Sequence, residues 1–176
     1  GADVPRPVVG KQRQAASRIE LRDKVPNPIV VVGYTGPSVE AKENGALTIA
    51  ADLLGDAEIG LLRGRLVNEK GVATYANATW TPGLLGGRFT IEAGAAEGVS
   101  AATLETELKA AIVDTVARPI DGADLQRARR GLLLAARLER ESLKDRTEAL
   151  AYQADMFGKV TYGFGDDPDI VAADAA

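Results

Sequence analysis

The chain has 176 residues, a formal net charge of −4 from 21 basic and 25 acidic side chains, and neither histidine nor cysteine. Without histidine it cannot form a Ser-His-Asp triad or a histidine-ligated zinc site, and without cysteine it has no disulfide or thiol nucleophile. Mild acidity argues against general nucleic-acid binding, and no apolar run approaches the ~20 residues of a membrane span. These exclusions favour a binding or structural role.

Alternating and β-branched runs predict four strands, at 18–22, 29–34, 72–80 and 88–93. The run at 29–34 is nearly all apolar and is predicted as a central strand, whereas 18–22 alternates and is predicted as a short, half-buried strand. A Pro- and Gly-rich hairpin loop at 81–87 joins the last two strands. The third strand is expected to place Thr74, Ala76, Ala78 and Trp80 on one face and Tyr75, Asn77 and Thr79 on the other.

Apolar residues at helical spacing predict five helices. The first lies within 39–54 and ends at Gly55, and the second covers about 58–70 and ends at Gly71. The other three are expected to begin after N-caps at Ser100, Asp121 and Ser142. One buried face of the third helix is predicted from Leu104, Leu108, Ala111, Ile112, Thr115 and Val116. The order β-β-α-α-β-β-α-α-α predicts an α+β fold with an antiparallel-rich mixed sheet and helices packed on one face.

Three charged segments are candidates for chemistry. The arginines of 127–130 could form a nucleic-acid patch, but neighbouring acidic residues and the absence of an aromatic platform favour a solvated helix face. The acidic run at 166–169 could bind a hard cation, although such Pro-containing runs more often cap the next helix. The segment 69–75 turns from a charged helix end through Gly71 into a strand that carries Tyr75, but an ordinary helix C-cap is the favoured explanation.

Five short motifs, in this order, resemble the non-catalytic, C-terminal-type domain of the pitrilysin-like (insulinase) zinc metallopeptidases, a family that includes the mitochondrial processing peptidases. The resemblance covers 17–176. The motifs are VGYTGP at 32–37, ALTIAADLLG at 46–55, LVNEKGVAT at 66–74, GRFTI at 87–91 and IDGADLQRA at 120–128.

The resemblance implies a two-part peptidase. One domain carries an inverted H-x-x-E-H zinc motif with a distal glutamate, and its homologue lacks the motif; together they enclose an unfolded peptide. A chain without histidine matches the inactive homologue, so we expect no cofactor in this chain and zinc in the partner domain or subunit. An extended peptide is the other expected partner, with no nucleic acid and no membrane span. The expected substrate contacts are Lys70, Tyr75 and Asn77.

Family members often carry an arginine and a tyrosine seven residues apart, around L-R-x-x-x-G-L-A-Y, which help to hold the peptide beside the zinc. When 71–73 is aligned with G-L-A, Val67 occupies the arginine position and Thr74 the tyrosine position. Tyr75 comes one residue late and therefore points to the opposite face of its strand. Arg65 comes two residues early. The resemblance therefore implies little direct assistance to chemistry from this domain.

The domain organisation is expected to be a linker at 1–16 and one domain at 17–176, cut from a longer two-domain protein. The chain is not expected to be an enzyme by itself, while its parent is expected to be a zinc metalloendopeptidase. Two alternatives stay open: a structural scaffold or interaction module with no role in proteolysis, and an unrelated α+β enzyme that uses carboxylates. The sequence predicts no signal peptide and leaves the cytoplasm and the periplasm as alternatives.

Overall fold

The computed structural model describes residues 15–139, 141–158, 160, 170 and 171. Its strands are β1 (Ile29–Gly36), β2 (Ala73–Thr81) and β3 (Gly87–Ala95). Its helices are α1 (Asn44–Gly55), α2 (Leu61–Arg63), α3 (Ala101–Val116), α4 (Gly122–Glu139) and α5 (Leu143–Phe157), and a π-helical turn (Gly64–Glu69) continues α2. Within these residues, no helix is both long and apolar enough to cross a membrane.

The three strands form an antiparallel sheet in the order β1-β3-β2. Ile91 of β3 is at its centre, paired with Val32 on one side and Ala78 on the other. The prediction that 29–34 is a central strand is therefore wrong, because β1 lies at the edge of this sheet. Although the run is apolar, the strand is not buried on both faces. Val30 and Val32 pack against the core, whereas Ile29 and Val31, which alternate with them, point to the exposed face.

The core lies between the sheet and the helices on one of its faces. Leu62, Leu66, Leu104 and Leu108 are fully buried and pack against alanines and Ile91 of the sheet. Small residues allow α1 to approach β2 closely. A Cβ added at Gly55 of α1 would lie only 1.9 Å from the backbone nitrogen of Ala78 in β2. The architecture confirms the predicted α+β class, with an antiparallel sheet and helices on one face.

The predicted strand at 18–22 is absent. Ile19 and Leu21 are 79% and 89% exposed, and no described strand pairs with this segment. Its contact with the domain is instead polar, because Arg18 forms an ion pair of 3.2 Å with Glu105 of α3. Alternation alone therefore misled the prediction, since a strand also needs a partner for its backbone hydrogen bonds.

The beginning of β2 differs from the predicted alternation. A bulge between Ala73 and Tyr75 disturbs the register, so Ala73 is buried while Thr74 is exposed. From Tyr75 onward the expected faces are present: Ala76, Ala78 and Trp80 point to the helices. A bulge adds one residue without a cross-strand partner, which is why the prediction that Thr74 shares a face with Ala76, Ala78 and Trp80 is wrong.

The predicted N-caps are confirmed. The Ser100 hydroxyl accepts the N–H of Thr103 at 3.1 Å, and the Asp121 carboxylate accepts the N–H of Ala123 at 2.8 Å. The Ser142 hydroxyl accepts the N–H of Asp145 at 3.4 Å. Val116 is exposed in the last turn of α3, contrary to its predicted inward position.

The first two predicted helices are confirmed with later starts. Helix α1 begins at Asn44, and α2 begins at Leu61 because the Asp56 carboxylate holds the N–H groups of Glu58 and Ile59 in a turn. Gly71 follows the π-helical turn with φ +62°, a left-handed conformation that favours glycine at the predicted stop.

Candidate functional site

The sheet face that points away from the helices is the candidate site, and we call it the open face. Strand register arranges it in four rows of three residues taken from β2, β3 and β1. The rows are Tyr75–Gly94–Ile29, Asn77–Glu92–Val31, Thr79–Thr90–Gly33 and Thr81–Arg88–Thr35. Because facing residues of an antiparallel pair share a side, each row crosses the same surface.

The open face has an apolar part and a flat, hydroxyl-rich part. Ile29 and Val31 are 52% and 57% exposed on the outer strand. Toward the other end, threonines replace large side chains, and a Cβ added at Gly33 would meet no atom within 4 Å. Arg88 and Glu92 are the charged residues in these rows. The surface therefore offers aliphatic contact at one end and, at the other, threonine hydroxyls around the charged side chain of Arg88.

Tyr75 is held in place on the open face by two neighbours. Its ring lies over Gly94, where an added Cβ would be 2.3 Å from Cε1. Its hydroxyl donates a hydrogen bond of 2.6 Å to Glu92 Oε1. This bond, with burial as the second cause, raises the pKa of Tyr75 to about 12. Glu92 was not singled out in the sequence, although the alternation of 88–93, which places it opposite Phe89 and Ile91, is the signal that could have found it.

The three predicted substrate contacts do not lie together. Tyr75 and Asn77 are two residues apart on β2 and share the open face. Lys70 follows the π-helical turn and pairs with Glu107 of α3, which belongs to the helical layer. The structure thus brings two of the three residues together and directs the third toward α3.

In the register predicted from the sequence, Val67 and Thr74 stand at the positions of the expected Arg–Tyr pair, and neither side chain could replace that pair. Val67 packs against the core, and Thr74 donates a hydrogen bond of 3.3 Å to the carbonyl of Gly94 at the bulge. Arg65 is engaged by Asp114 of α3. A valine supplies no donor for a peptide carbonyl, so the arginine's hydrogen bonds have no counterpart at this position.

Where the structure describes them, the other charged segments give no second site. In the arginine-rich part of α4, Arg127 pairs with Asp124 at 2.6 Å and Arg130 donates to the carbonyl of Gln126, contacts typical of a solvated helix. The acidic run at 166–169 lies outside the described residues. Over the described part of the chain, no group of three histidine, cysteine or carboxylate side chains is arranged to hold a metal ion. The described residues therefore do not fit a zinc site.

A buried polar network next to the sheet was also missed by the sequence analysis. Asn44 Nδ2 donates to the carbonyls of Ser38, Val39 and Ala41, and its Oδ1 accepts from Trp80 Nε1 at 2.9 Å. The Trp80 ring occupies the space that a Cβ would need at Gly36 and Gly87. The network ties the turn after β1 to the end of β2 and thereby positions the strands of the open face.

The sequence was compared with models of known protein families and with curated protein sequences. A family model described as the peptidase M16 inactive domain matches residues 2–132. No curated protein sequence matches the chain at a significant level.

Solved structures share the fold. A protease from Helicobacter pylori superposes with a TM-score of 0.77 at 21% identity, over 88% of this chain and 37% of the protease. The inactive peptidase domain of a candidate zinc protease from Bordetella parapertussis gives 0.74 at 22% identity, over 89% of this chain and 85% of that one. A chain of complex III2 from Candida albicans, solved with Inz-5 bound, gives 0.70 at 15% identity, over 88% of this chain and 39% of that chain. This chain thus spans well under half of the Helicobacter protease.

Proposed function

The chain belongs to the peptidase M16 inactive domain family, and from this membership we propose that it acts as the non-catalytic half of a zinc metallopeptidase. In this proposal it pairs with a homologous zinc-bearing domain or subunit and encloses an extended peptide substrate with it. Zinc and the water it activates belong to the partner, since this chain has no histidine and its described residues offer no metal site. The kinship with inactive domains of zinc proteases supports this division of labour.

The observation that carries the proposal is the open face. Among the described residues, helices pack on one side of the sheet, and Ile29 and Val31 are more than half exposed on the other. Exposed β-branched side chains side by side are typical of a surface that another molecule covers, because burying them is favourable by about 25 cal/mol per Å². We propose that this face is turned toward the chamber and that its partner and the peptide cover it.

The chemistry of the face suits a peptide of variable sequence. Asn77 and the threonines each supply a donor and an acceptor, the two functions that a peptide backbone needs. Tyr75 contributes its ring, while its hydroxyl is occupied by Glu92. Lys70 lies near the beginning of β2 and remains a proposed contact at that end of the sheet. The domain would hold the peptide by shape and backbone contacts.

Reconstitution tests the proposal. We expect peptidase activity to appear when this chain is mixed with the zinc-bearing half of the same parent protein. Val31→Arg and Asn77→Arg should each reduce that activity about tenfold or more, because an arginine on the open face would obstruct a covered surface. Val113→Arg is the matched control, since it places the same side chain on a valine of α3 that is 66% exposed, against 57% for Val31. Full activity of the zinc-bearing half alone, unchanged by saturating amounts of this chain, would refute the proposal.

A structural scaffold is the second candidate function. It is favoured by the predicted register, in which Val67 and Thr74 replace the expected Arg–Tyr pair, and by the fold, which is also that of a chain in complex III2 of Candida albicans. A scaffold would bind the zinc-bearing half without altering its activity. Stable co-elution of the two chains, with activity equal to that of the zinc-bearing half alone, would favour this candidate.

A further inference from the structure

A groove lies between α1 and α4, within the helical layer. Its volume is about 300 Å³, and its apolar lining comes from Leu53 of α1 and from Ala128, Leu132 and Ala135 of α4. Gly131 also faces it, and a Cβ added there would meet no atom within 4 Å. The groove exists because α4 presents small residues where a larger side chain would fill the space. About ten water molecules of ~30 Å³ would occupy the same volume, enough for one long side chain and part of a second.

The rim of the groove is acidic. Asp52 and Asp56 line it together with one arginine, Arg127, whose guanidinium pairs with Asp124 of α4. Three carboxylates against one guanidinium leave a local charge of −2. A cation from outside would therefore be attracted to this rim.

Asp52 is the least satisfied of these carboxylates. The Asp56 carboxylate accepts the N–H groups of Glu58 and Ile59, both at 2.8 Å, whereas no described residue donates a hydrogen bond to the side chain of Asp52. Burial, with the charge of Asp56 as the second cause, raises the pKa of Asp52. A half-buried carboxylate beside an apolar space gains stability when a cation joins it there.

The apolar surface continues beyond the groove along α4. Leu134 and Leu138 follow Gly131 at spacings of three and seven residues, on the same side of the helix, and are 58% and 54% exposed. Ile59, which lines the groove, adds a further exposed aliphatic side chain. Leucines exposed in line with a cavity extend the surface over two further helical turns, which is more than a small molecule would cover.

We propose that the α1–α4 groove docks a basic amphipathic segment of a partner polypeptide. A lysine or arginine of that segment enters the groove, with its aliphatic stem against Leu53 and Leu132 and its charged head at Asp52. Its apolar side chains continue along Leu134 and Leu138. This combination of an apolar stem and a cationic head is specific to lysine and arginine among the common side chains. The inference concerns the helical layer and does not depend on the role proposed for the open face.

The test uses the 176-residue chain and a fluorescein-labelled helical peptide with leucine on one face and lysine on the other. Fluorescence anisotropy should show binding that weakens as salt is raised, and a peptide with glutamate in place of lysine should not bind. Asp52→Asn should weaken binding about three- to tenfold, the range of a single partly screened ion pair. Gly131→Leu should weaken it at least about tenfold, because the new side chain fills the groove.

Two variants serve as matched controls. Gly122→Leu adds the same side chain to the first turn of α4, also in open space, and Asp145→Asn removes the same charge from the start of α5. Both should bind like the unchanged chain, and circular dichroism should show equal helicity for all variants. Equal loss in a control and its test variant, or equal affinity for the lysine and glutamate peptides, would overturn the proposal. Binding that appears only after removal of residues 1–14 would also overturn it, in favour of this chain's own basic segment as the occupant.

Discussion

Tyr75 is the residue of the open face whose environment can be tested directly, because its hydroxyl titrates with a change in absorbance. Its hydroxyl donates to Glu92, and the pKa of Tyr75 is raised to about 12. We expect the tyrosinate absorbance of the folded chain to show a late titration step, which Tyr75→Phe removes. Glu92→Gln should move this step to lower pH, because the neutral amide neither repels the phenolate nor accepts as strong a hydrogen bond. Alkaline spectrophotometric titration measures both.

The hydrogen bond between Tyr75 and Glu92 also determines how the stability of the folded chain changes with pH. A pKa raised above the ordinary value of 10.0 means that the folded state keeps the proton longer than the unfolded state. The stabilisation from this group is therefore complete below pH 10 and is lost as the pH rises toward about 12. Tyr34→Phe is the control and should leave the late step in place. A late titration step that persists in Tyr75→Phe, or that stays at the same pH in Glu92→Gln, would contradict the assignment of this step to Tyr75 and its bond to Glu92.

Among the elements, helices and caps could be predicted more completely than the arrangement of strands. Ser100 and Asp121 were predictable because a cap needs only a short polar side chain and the N–H groups two or three residues ahead. The edge position of β1 and the absence of a strand at 18–22 depend on pairing with distant segments, which local alternation does not report. Alternation within β2 was enough to place Tyr75 and Asn77 on one face. It could not predict that Gly94 and Glu92 lie opposite them, because that depends on the register with β3.

The packing of α1 on β2 depends on a glycine that ends the helix. A Cβ at Gly55 would lie 1.9 Å from the nitrogen and 2.6 Å from the Cα of Ala78, and backbone atoms cannot turn aside. We expect Gly55→Ala to destabilise the chain by about 3 kcal/mol or more, because α1 must move away from the sheet. The midpoint of urea unfolding, followed by circular dichroism, measures this loss.

Gly131→Ala is the matched control for helix propensity. Its Cβ would point into open space within α4, so it should stabilise the chain by up to about 1 kcal/mol. The two substitutions add the same methyl group to helical glycines and should shift the urea midpoint in opposite directions. Equal shifts would show that α1 does not approach β2 as closely as the fold requires.

At the scale of the whole molecule, the proposal that zinc belongs to a partner half leads to a prediction about the metal content of this chain. The chain has no histidine and no cysteine, and the residues that the structure describes hold no cluster of three potential ligands. A zinc peptidase site needs three protein ligands arranged around an open fourth position. We therefore expect the isolated chain, dialysed against zinc and then against buffer, to retain much less than one zinc per chain by mass spectrometry. Zinc should also leave its thermal midpoint unchanged, since a ligand stabilises only a state that binds it.

The zinc-bearing half of the same parent protein, treated identically, provides the positive control and should retain one equivalent. In the mixed complex the zinc content should equal that of this half alone, so that each pair of chains carries one ion. A chelator should then abolish the activity of the mixture while this chain keeps its own thermal midpoint, because its core is built from Leu62, Leu66, Leu104 and Leu108 without metal. One tightly bound zinc per isolated chain, together with a raised midpoint of thermal unfolding, would contradict the proposal that this chain is the non-catalytic half.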